Sequence, residues 1–278
     1  MSKKRIAALL TCHNRRDKTI MCLQALYNQQ EFNEQYNLKV FLVDDGSNDG
    51  TSIAVKEGFP EVKVIQGDGN LYWNRGMHLA WSVAAKEDFD FYFWLNDDTI
   101  LFPAALQDMM HCVQLTGEKA IICGTTRSAI NGAVTYGGRS KTKGLLKPNN
   151  QLQQCDLFNG NAVIIPRNVY KVVGNLDYMF SHSTGDWDYG LRAAKKGIKM
   201  FISFFYVGEC EKHESLPKWC SPTVKLKDRI KAFRTPLAVN PVQHFKFDLR
   251  HNGLFSAVKH YVSIHIRLFF PFLWNRNP

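Results

Sequence analysis

Phe91-Tyr92-Phe93-Trp94-Leu95-Asn96-Asp97-Asp98-Thr99 runs five apolar or aromatic residues straight into an amide and two adjacent carboxylates. A buried strand looks like this where it leaves a sheet at a working site. Two neighbouring acids repel each other unless a cation sits between them, and a divalent metal is the obvious candidate. A plainer reading is a capped turn, with Asp98 preceding a helix that opens after Pro103. The residues on either side bear on the choice.

Upstream, Lys4–Thr11 reads as a first strand ending in Thr11-Cys12-His13-Asn14-Arg15-Arg16. Helical spacing runs from Asp17 to about Gln30, with Ile20, Leu23, Ala25 and Leu26 on one face. Lys39–Val43 is a second strand, ending in Asp44-Asp45-Gly46-Ser47-Asn48-Asp49-Gly50-Thr51. A short helix capped by Thr51 or Ser52 follows, then a strand at Val62–Ile65. A turn at Gly67-Asp68-Gly69-Asn70 leads to a helix from Trp73 to Ala85 and the strand Asp90–Leu95. Strands alternating with helices predict a parallel sheet flanked by helices. Ligands of such sheets bind beyond the carboxyl ends of the strands, where these polar clusters fall.

Downstream, Ala120–Gly124 reads as a strand and residues 131–150 as a hairpin and mobile loop. Phe158-Asn159-Gly160-Asn161 precedes a strand at Ala162–Ile165. A helix opens at Asp186-Trp187-Asp188-Tyr189 and ends at Gly197, and Met200–Val207 is a further strand. The Gly67–Asn70 turn with Asn74-Arg75-Gly76 does not fit G-x-G-x-x-G, because its third glycine is displaced. Its alternative is a loop and helix N-terminus facing a diphosphate. Capping accounts cheaply for one of Asp186 and Asp188; the functional alternative makes one of them a general base.

Composition sets the frame. A chain of 278 residues, 45% hydrophobic and 22% charged, folds with an ample core as one large or two small domains. Seven scattered cysteines without a CxxC pair predict reduced thiols and a reducing compartment. The run Ile6–Leu10 is too short for a signal-peptide core, and no segment reaches the roughly 20 apolar residues of a membrane span. Net charge is +10, and Pro217–Pro278 holds eleven Lys/Arg against two Asp/Glu. Such a tail suits an anionic membrane or nucleic acid. Nucleic acid is the poorer fit, because the cations are diluted among bulky aliphatic residues.

Taken together these clusters resemble the inverting glycosyltransferase family 2, across roughly residues 4–215, and within it the bacterial rhamnosyl- and galactofuranosyl-type transferases. The resemblance implies an α/β GT-A fold with a mostly parallel central sheet and a C-terminal helical extension. It implies a catalytic domain over 1–215, divided into a nucleotide-sugar half (1–100) and an acceptor half (101–215), with the extension over 216–278. Thr11, His13 and Arg15 would line the nucleotide pocket and Asp45 would bind the base. Asp68, Asn70, Trp73, Asn74 and Arg75 would border the diphosphate and sugar. Asn96 and Asp98 stand at the outer places of the family's D-x-D motif, so that Asp98 would hold Mn2+ or Mg2+ and Asp97 would meet the donor. Asn96 departs from the motif, and its amide is a weaker metal ligand. Asp186 matches the family's general base, and His213 a histidine that completes the metal site. Gly160, Asn161, Trp187 and Asp188 would shape the acceptor side.

The implied reaction moves a sugar from a nucleotide diphosphate, UDP- or dTDP-linked, to a saccharide or lipid-linked acceptor in surface-polysaccharide assembly. The rivals are a nucleotidyltransferase on a similar scaffold and an inactive family member that binds sugar or membrane. In the tail, Leu254, Phe255, Val258, Tyr261, Val262, His265, Leu268 and Phe269 fall near one helical face of residues 251–274. An interfacial helix on the inner face of the cell membrane is one reading; packing on the catalytic domain or on a homodimer mate is the other.

Overall fold

Nine-residue β1 (Lys4–Cys12) is buried without a break from Ile6 to Cys12, because it lies inside a sheet covered on both faces. The computed structural model describes residues 3–30, 35–212, 217–238 and 240–276. After β1 come α1 (Arg16–Tyr27), β2 (Tyr36–Asp44), α2 (Thr51–Gly58), β3 (Lys63–Gln66), α3 (Tyr72–Ala84), β4 (Phe91–Leu95) and β5 (Ile100–Leu101). Then follow α4 (Ala105–Leu115), β6 (Ile121–Arg127), β7 (Gly138–Ser140), β8 (Gly144–Leu145), β9 (Leu157–Phe158) and β10 (Ala162–Pro166). α5 (Arg167–Val173), α6 (Gly185–Lys195) and β11 (Met200–Glu209) complete this part of the chain.

The main sheet has the order β3-β2-β1-β4-β10-β6-β11-β5. Its first four strands are parallel, as the alternation of elements predicts. β10 then enters antiparallel between β4 and β6, with Ala162 opposite Leu95. The start of β10 therefore meets the carboxyl end of β4. Period-two alternation divides the apolar residues between two cores. Ala8, Leu10, Phe91, Phe93 and Leu95 pack with Leu23 of α1 and Met109 of α4. Leu9, Phe41, Tyr92 and Trp94 pack with Met77 and Trp81 of α3 and Tyr189 of α6. The hairpin expected within 131–150 is β7 with β8, and β7 also pairs with β9 in a separate small sheet.

The chain divides into two compact units, residues 1–178 with 186–212 and residues 179–185 with 213–278. The second contains α7 (Leu226–Phe233), α8 (Pro241–His251) and α9 (Leu254–Phe269), with short 3-10 turns at Lys218–Cys220 and Pro271–Arg276. Its core gathers Trp219, Cys220, Phe233, Ala238, Ile264 and Leu268. The helix expected over 251–274 is thus shorter, and a separate helix precedes it. Asn240 caps α8 by accepting from the amides of Val242 (3.1 Å) and Gln243 (3.2 Å). Gly253, at φ +85°, separates α8 from α9 in a conformation unfavourable to other residues. Leu268, grouped by spacing with Phe255, Val262 and Phe269, turns inward instead, because it fills space beside Trp219 and Phe233.

One close approach is open to test. A Cβ on Gly208 would lie 2.3 Å from the carbonyl oxygen of Ile100, where β11 pairs with β5. Gly208→Ala is expected to destabilise the fold by about 1–3 kcal/mol, read as a lower urea midpoint at unchanged slope.

Candidate active site

The loops after β1, β2 and β4 converge at the carboxyl ends of the parallel strands, held by side-chain-to-backbone bonds. The Asn14 amide donates to Ser47 Oγ (2.9 Å), and the Asn48 amide donates to Asn14 Oδ1 (2.8 Å). Asp44 accepts from the Ser47 amide (2.9 Å) and from the Ser52 hydroxyl. His13 Nδ1 lies 2.6 Å from the Asp45 carbonyl oxygen. Buried Asp45 uses both carboxylate oxygens on the next loop, accepting from the amides of Gly69 (2.9 Å) and Tyr72 (2.8 Å). Asp68 and Asn70 close that loop on themselves, the Asn70 amide donating to Asp68 Oδ1 at 2.9 Å. Thr11 packs so tightly on α3 that a Cβ at Gly76 would lie 2.3 Å from its hydroxyl oxygen.

At the end of β4 the cation between the two acids is Arg15, at the N-cap of α1. Its Nη1 donates to Asp97 Oδ1 (3.0 Å) and to Asp98 Oδ2 (2.8 Å). Burial works against the guanidinium charge, yet the two carboxylates hold its pKa above the ordinary value. Burial pushes the Asp97 carboxyl up to about 6, against the pull of Arg15 and with the push of Asp98. Asp97 Oδ2 is buried and makes no hydrogen bond among the described residues. Asp98 Oδ1 meets the Cys210 thiol at 3.6 Å. That thiol's pKa is itself raised to about 12, first by burial and then by Asp98. A hard divalent cation suits carboxylate oxygens of this kind, one of them buried without a partner, so the residues present fit Mg2+ or Mn2+. His213 lies outside the described residues.

Asn96 is committed elsewhere, because its Oδ1 accepts from the Trp73 indole at 2.7 Å. Trp73 in turn covers Gly160, where a Cβ would lie 2.5 Å from the indole ring and 3.5 Å from the Asp186 Cβ. Asp186 Oδ2 accepts from the Gly160 amide (3.0 Å) and Oδ1 from the Trp187 amide (2.8 Å). These two bonds fix the carboxylate, while burial raises its pKa to about 6. The series Asn96–Trp73–Gly160–Asp186 therefore joins the β4 end to the start of α6. Asn161 belongs to the same region: its carbonyl accepts from the Asn96 amide (2.9 Å), and its Nδ2 approaches Cys210 Sγ at 3.5 Å.

Asp188 is fully buried and accepts from Arg192 Nε at 2.8 Å, one turn along α6. Of the two acids opening this helix, Asp186 is therefore the one placed beside Trp73 and Gly160. Asn74 is buried and donates to the Asp177 carbonyl (2.8 Å); Arg75 donates to the Tyr178 carbonyl (3.0 Å) and stacks on its ring. Cys210 carries no signal of its own in the sequence. It follows an apolar strand like any core cysteine, and the pairing of β11 with β5 and β6 takes it to Asp98.

A curled mixed sheet with acids gathered beyond β4, flanked by helices on both faces, defines a glycosyltransferase of GT-A fold. The chain belongs to glycosyl transferase family 2, whose sequence profile matches residues 8–174. A search of curated protein sequences finds no match. Among solved structures, residues 1–349 of S. aureus TarS with UDP-GlcNAc superpose at TM-score 0.57 and 15% identity, over 94% of this chain and 72% of that one. The Pyrobaculum calidifontis mannosyltransferase PcManGT with GDP-Man and Mn2+ superposes at TM-score 0.58 and 14% identity, over 100% of this chain and 89% of that one.

Two stability measurements probe this arrangement. Arg15→Ala leaves two carboxylates facing each other and should cost about 1–3 kcal/mol; adding Asp97→Asn should recover part of that loss in a double-mutant cycle. Asp186 has a folded pKa near 6 against an ordinary 3.8, so the native state favours the protonated acid. Its contribution is present below the unfolded value and is lost as pH rises through about 6. The melting temperature of Asp186→Asn minus that of the parent should therefore rise between pH 4 and pH 7.

Proposed function

We propose that this glycosyltransferase transfers a sugar from a nucleotide diphosphate to an acceptor hydroxyl in one inverting displacement, with Asp186 as the base. The observation that carries this is the placement of Asp186. It is fixed by two backbone amides, set against Gly160 and Trp73, and raised to a pKa of about 6. A carboxylate of that pKa is ionised at neutral pH and is a stronger base than an ordinary aspartate. Asp186 lies beyond the residues matched by the family profile, so its role rests on geometry and on the motif resemblance.

In the proposed step Asp186 takes the proton of the acceptor hydroxyl. The freed oxygen bonds to the anomeric carbon as the bond from that carbon to the diphosphate breaks. The nucleoside diphosphate leaves with the electron pair, and attack from the opposite face inverts the centre. Asp45 and His13 order the loops on the nucleotide side, while Trp73 and Gly160 form the wall between donor and base. Asp98 would hold the divalent ion, which when bound offsets negative charge on the departing diphosphate, and Asp97 would meet the donor. Arg15 already spans the two acids, and exchange of that guanidinium for a divalent cation would couple donor entry to a shift of Arg15. The mannosyltransferase in complex with GDP-Man and Mn2+, and TarS in complex with UDP-GlcNAc, support a nucleotide-sugar donor and a divalent ion.

The acceptor side of the proposal is a saccharide or lipid-linked glycan of surface-polysaccharide assembly, reached from a membrane surface. No helix among the described residues is long and apolar enough to cross a membrane. Leu254, Phe255, Val258, Val262, Ile266 and Phe269 of α9 are all exposed, and helical spacing places them on one face. With the cationic excess of the tail, that face suits a surface rich in anionic lipid.

Asp186→Asn is expected to lower kcat by at least about a hundredfold while leaving nucleotide binding intact; transfer at the parent rate would overturn the base assignment. The parent's kcat/KM should climb with pH to a plateau above about 6, and residual activity of the variant should lack that limb. EDTA should abolish transfer and Mn2+ or Mg2+ should restore it. Co-sedimentation with phosphatidylglycerol vesicles should fall in Phe255→Asp/Val262→Asp and at high salt; unchanged binding would remove α9 as the contact.

A further inference from the structure

Helices α8 and α9 bring together three metal-ligating side chains, none of them used in the site described above. His244 and Asp248 stand one turn apart on α8, and His260 projects from α9. His244 Nδ1 lies 3.3 Å and His260 Nδ1 2.8 Å from the same atom, Asp248 Oδ2. One ligand atom from each of the three lies within 4.8 Å of the others. Asp248 is buried, His244 half-buried and His260 exposed, so the cluster has a closed floor and an open mouth.

We infer that His244, Asp248 and His260 form a binding site for a divalent transition-metal ion, zinc before the others, that ties α8 to α9. Three features support it. Two imidazoles, from different helices, converge on one oxygen of a buried carboxylate. The other oxygen, Oδ1, is held by Asn252 Nδ2 at 2.7 Å, which fixes the carboxylate as the supporting shell of a metal site does. The donors are two imidazole nitrogens and a carboxylate oxygen, a borderline set that favours Zn2+ over Mg2+. Tetrahedral ligands at about 2.0–2.1 Å from zinc are about 3.3 Å apart, the spacing of His244 Nδ1 and Asp248 Oδ2. His260, being exposed, can open its shorter approach by a small ring rotation. Three protein ligands leave a fourth position for water or another donor.

The test uses the full chain, stripped of metal and titrated with Zn2+, with bound zinc counted by elemental analysis and melting followed in parallel. A second series in the Asp98→Asn background removes the carboxylate proposed to hold the catalytic ion. One equivalent of Zn2+ should bind in Asp98→Asn and raise its melting temperature, whatever further ion the parent takes. In the Asp98→Asn background His260→Gln keeps an amide donor for Asp248 but loses the imidazole, and it should lose both effects; His244→Gln should do the same. Asn252→Ala should weaken binding about 10- to 100-fold. Circular dichroism of His260→Gln, whose side chain is exposed, checks that the fold is retained. Zinc binding that disappears in Asp98→Asn, or that survives in His260→Gln/Asp98→Asn, would overturn the site. Unweakened binding in Asn252→Ala would do so as well, since the carboxylate would then not be oriented for a metal.

Discussion

The antiparallel entry of β10 beside β4 is the constraint on which the site depends. A parallel strand at that position would bring its carboxyl end to the Asn96 edge and leave its start at the other end of the sheet. With Ala162 paired to Leu95, the residues before β10 arrive at Asn96 instead. Gly160 then takes the Trp73 ring on one side and offers its amide to Asp186 on the other. Only glycine fits, because a Cβ there would enter the indole. One strand direction therefore determines where the base stands relative to the acids of β4.

The two carboxylates of β4 need charge compensation that the strand itself cannot supply. Arg15 provides it from the loop after β1, neighbour to β4 in the sheet. The compensation is uneven: Asp97 is the more deeply buried and remains pushed up to about 6 with one oxygen unpartnered. A buried acid held short of full compensation has much to gain from a further positive charge. Asp44 and Asp45 contrast with this, since all four of their carboxylate oxygens already accept from amides or a hydroxyl. The acids at the ends of β2 and β4, on either side of β1, thus serve different ends, one pair building loops and the other holding charge.

This difference shows what sequence could and could not reveal. The parallel half of the sheet was legible because continuous apolar runs alternate with helical spacing, and the acidic clusters mark the strand ends. Asn96-Asp97-Asp98 stood out for the same reason, whereas Asp186 was singled out by the family resemblance. The direction of β10 was not legible, since an apolar run of five residues reads alike in either orientation. Nor could spacing distinguish Asp186 from Asp188 at the same helix start. Tertiary partners distinguish them: Arg192 takes Asp188 into the core, while Gly160 and Trp187 hold Asp186 beside Trp73. Cys210 was invisible because its position depends on long-range pairing of β11 with β5 and β6.

The tail follows a similar logic at lower resolution. Apolar spacing over 251–274 suggested one amphipathic helix, but Asn252-Gly253 ends one helix and starts another. The break lets α8 pack alongside α9, and the core around Trp219 and Phe233 takes one face of α9. Ala257, Ile264 and Leu268 turn inward, while Phe255, Val262 and Phe269 remain outside. A single uninterrupted helix could not place His260 opposite His244 and Asp248, sixteen and twelve residues earlier. At 1.5 Å per residue they would stand about 24 and 18 Å apart along the axis. Gly253, the residue that makes the hairpin sterically accessible, is therefore also what brings the two histidines to one carboxylate.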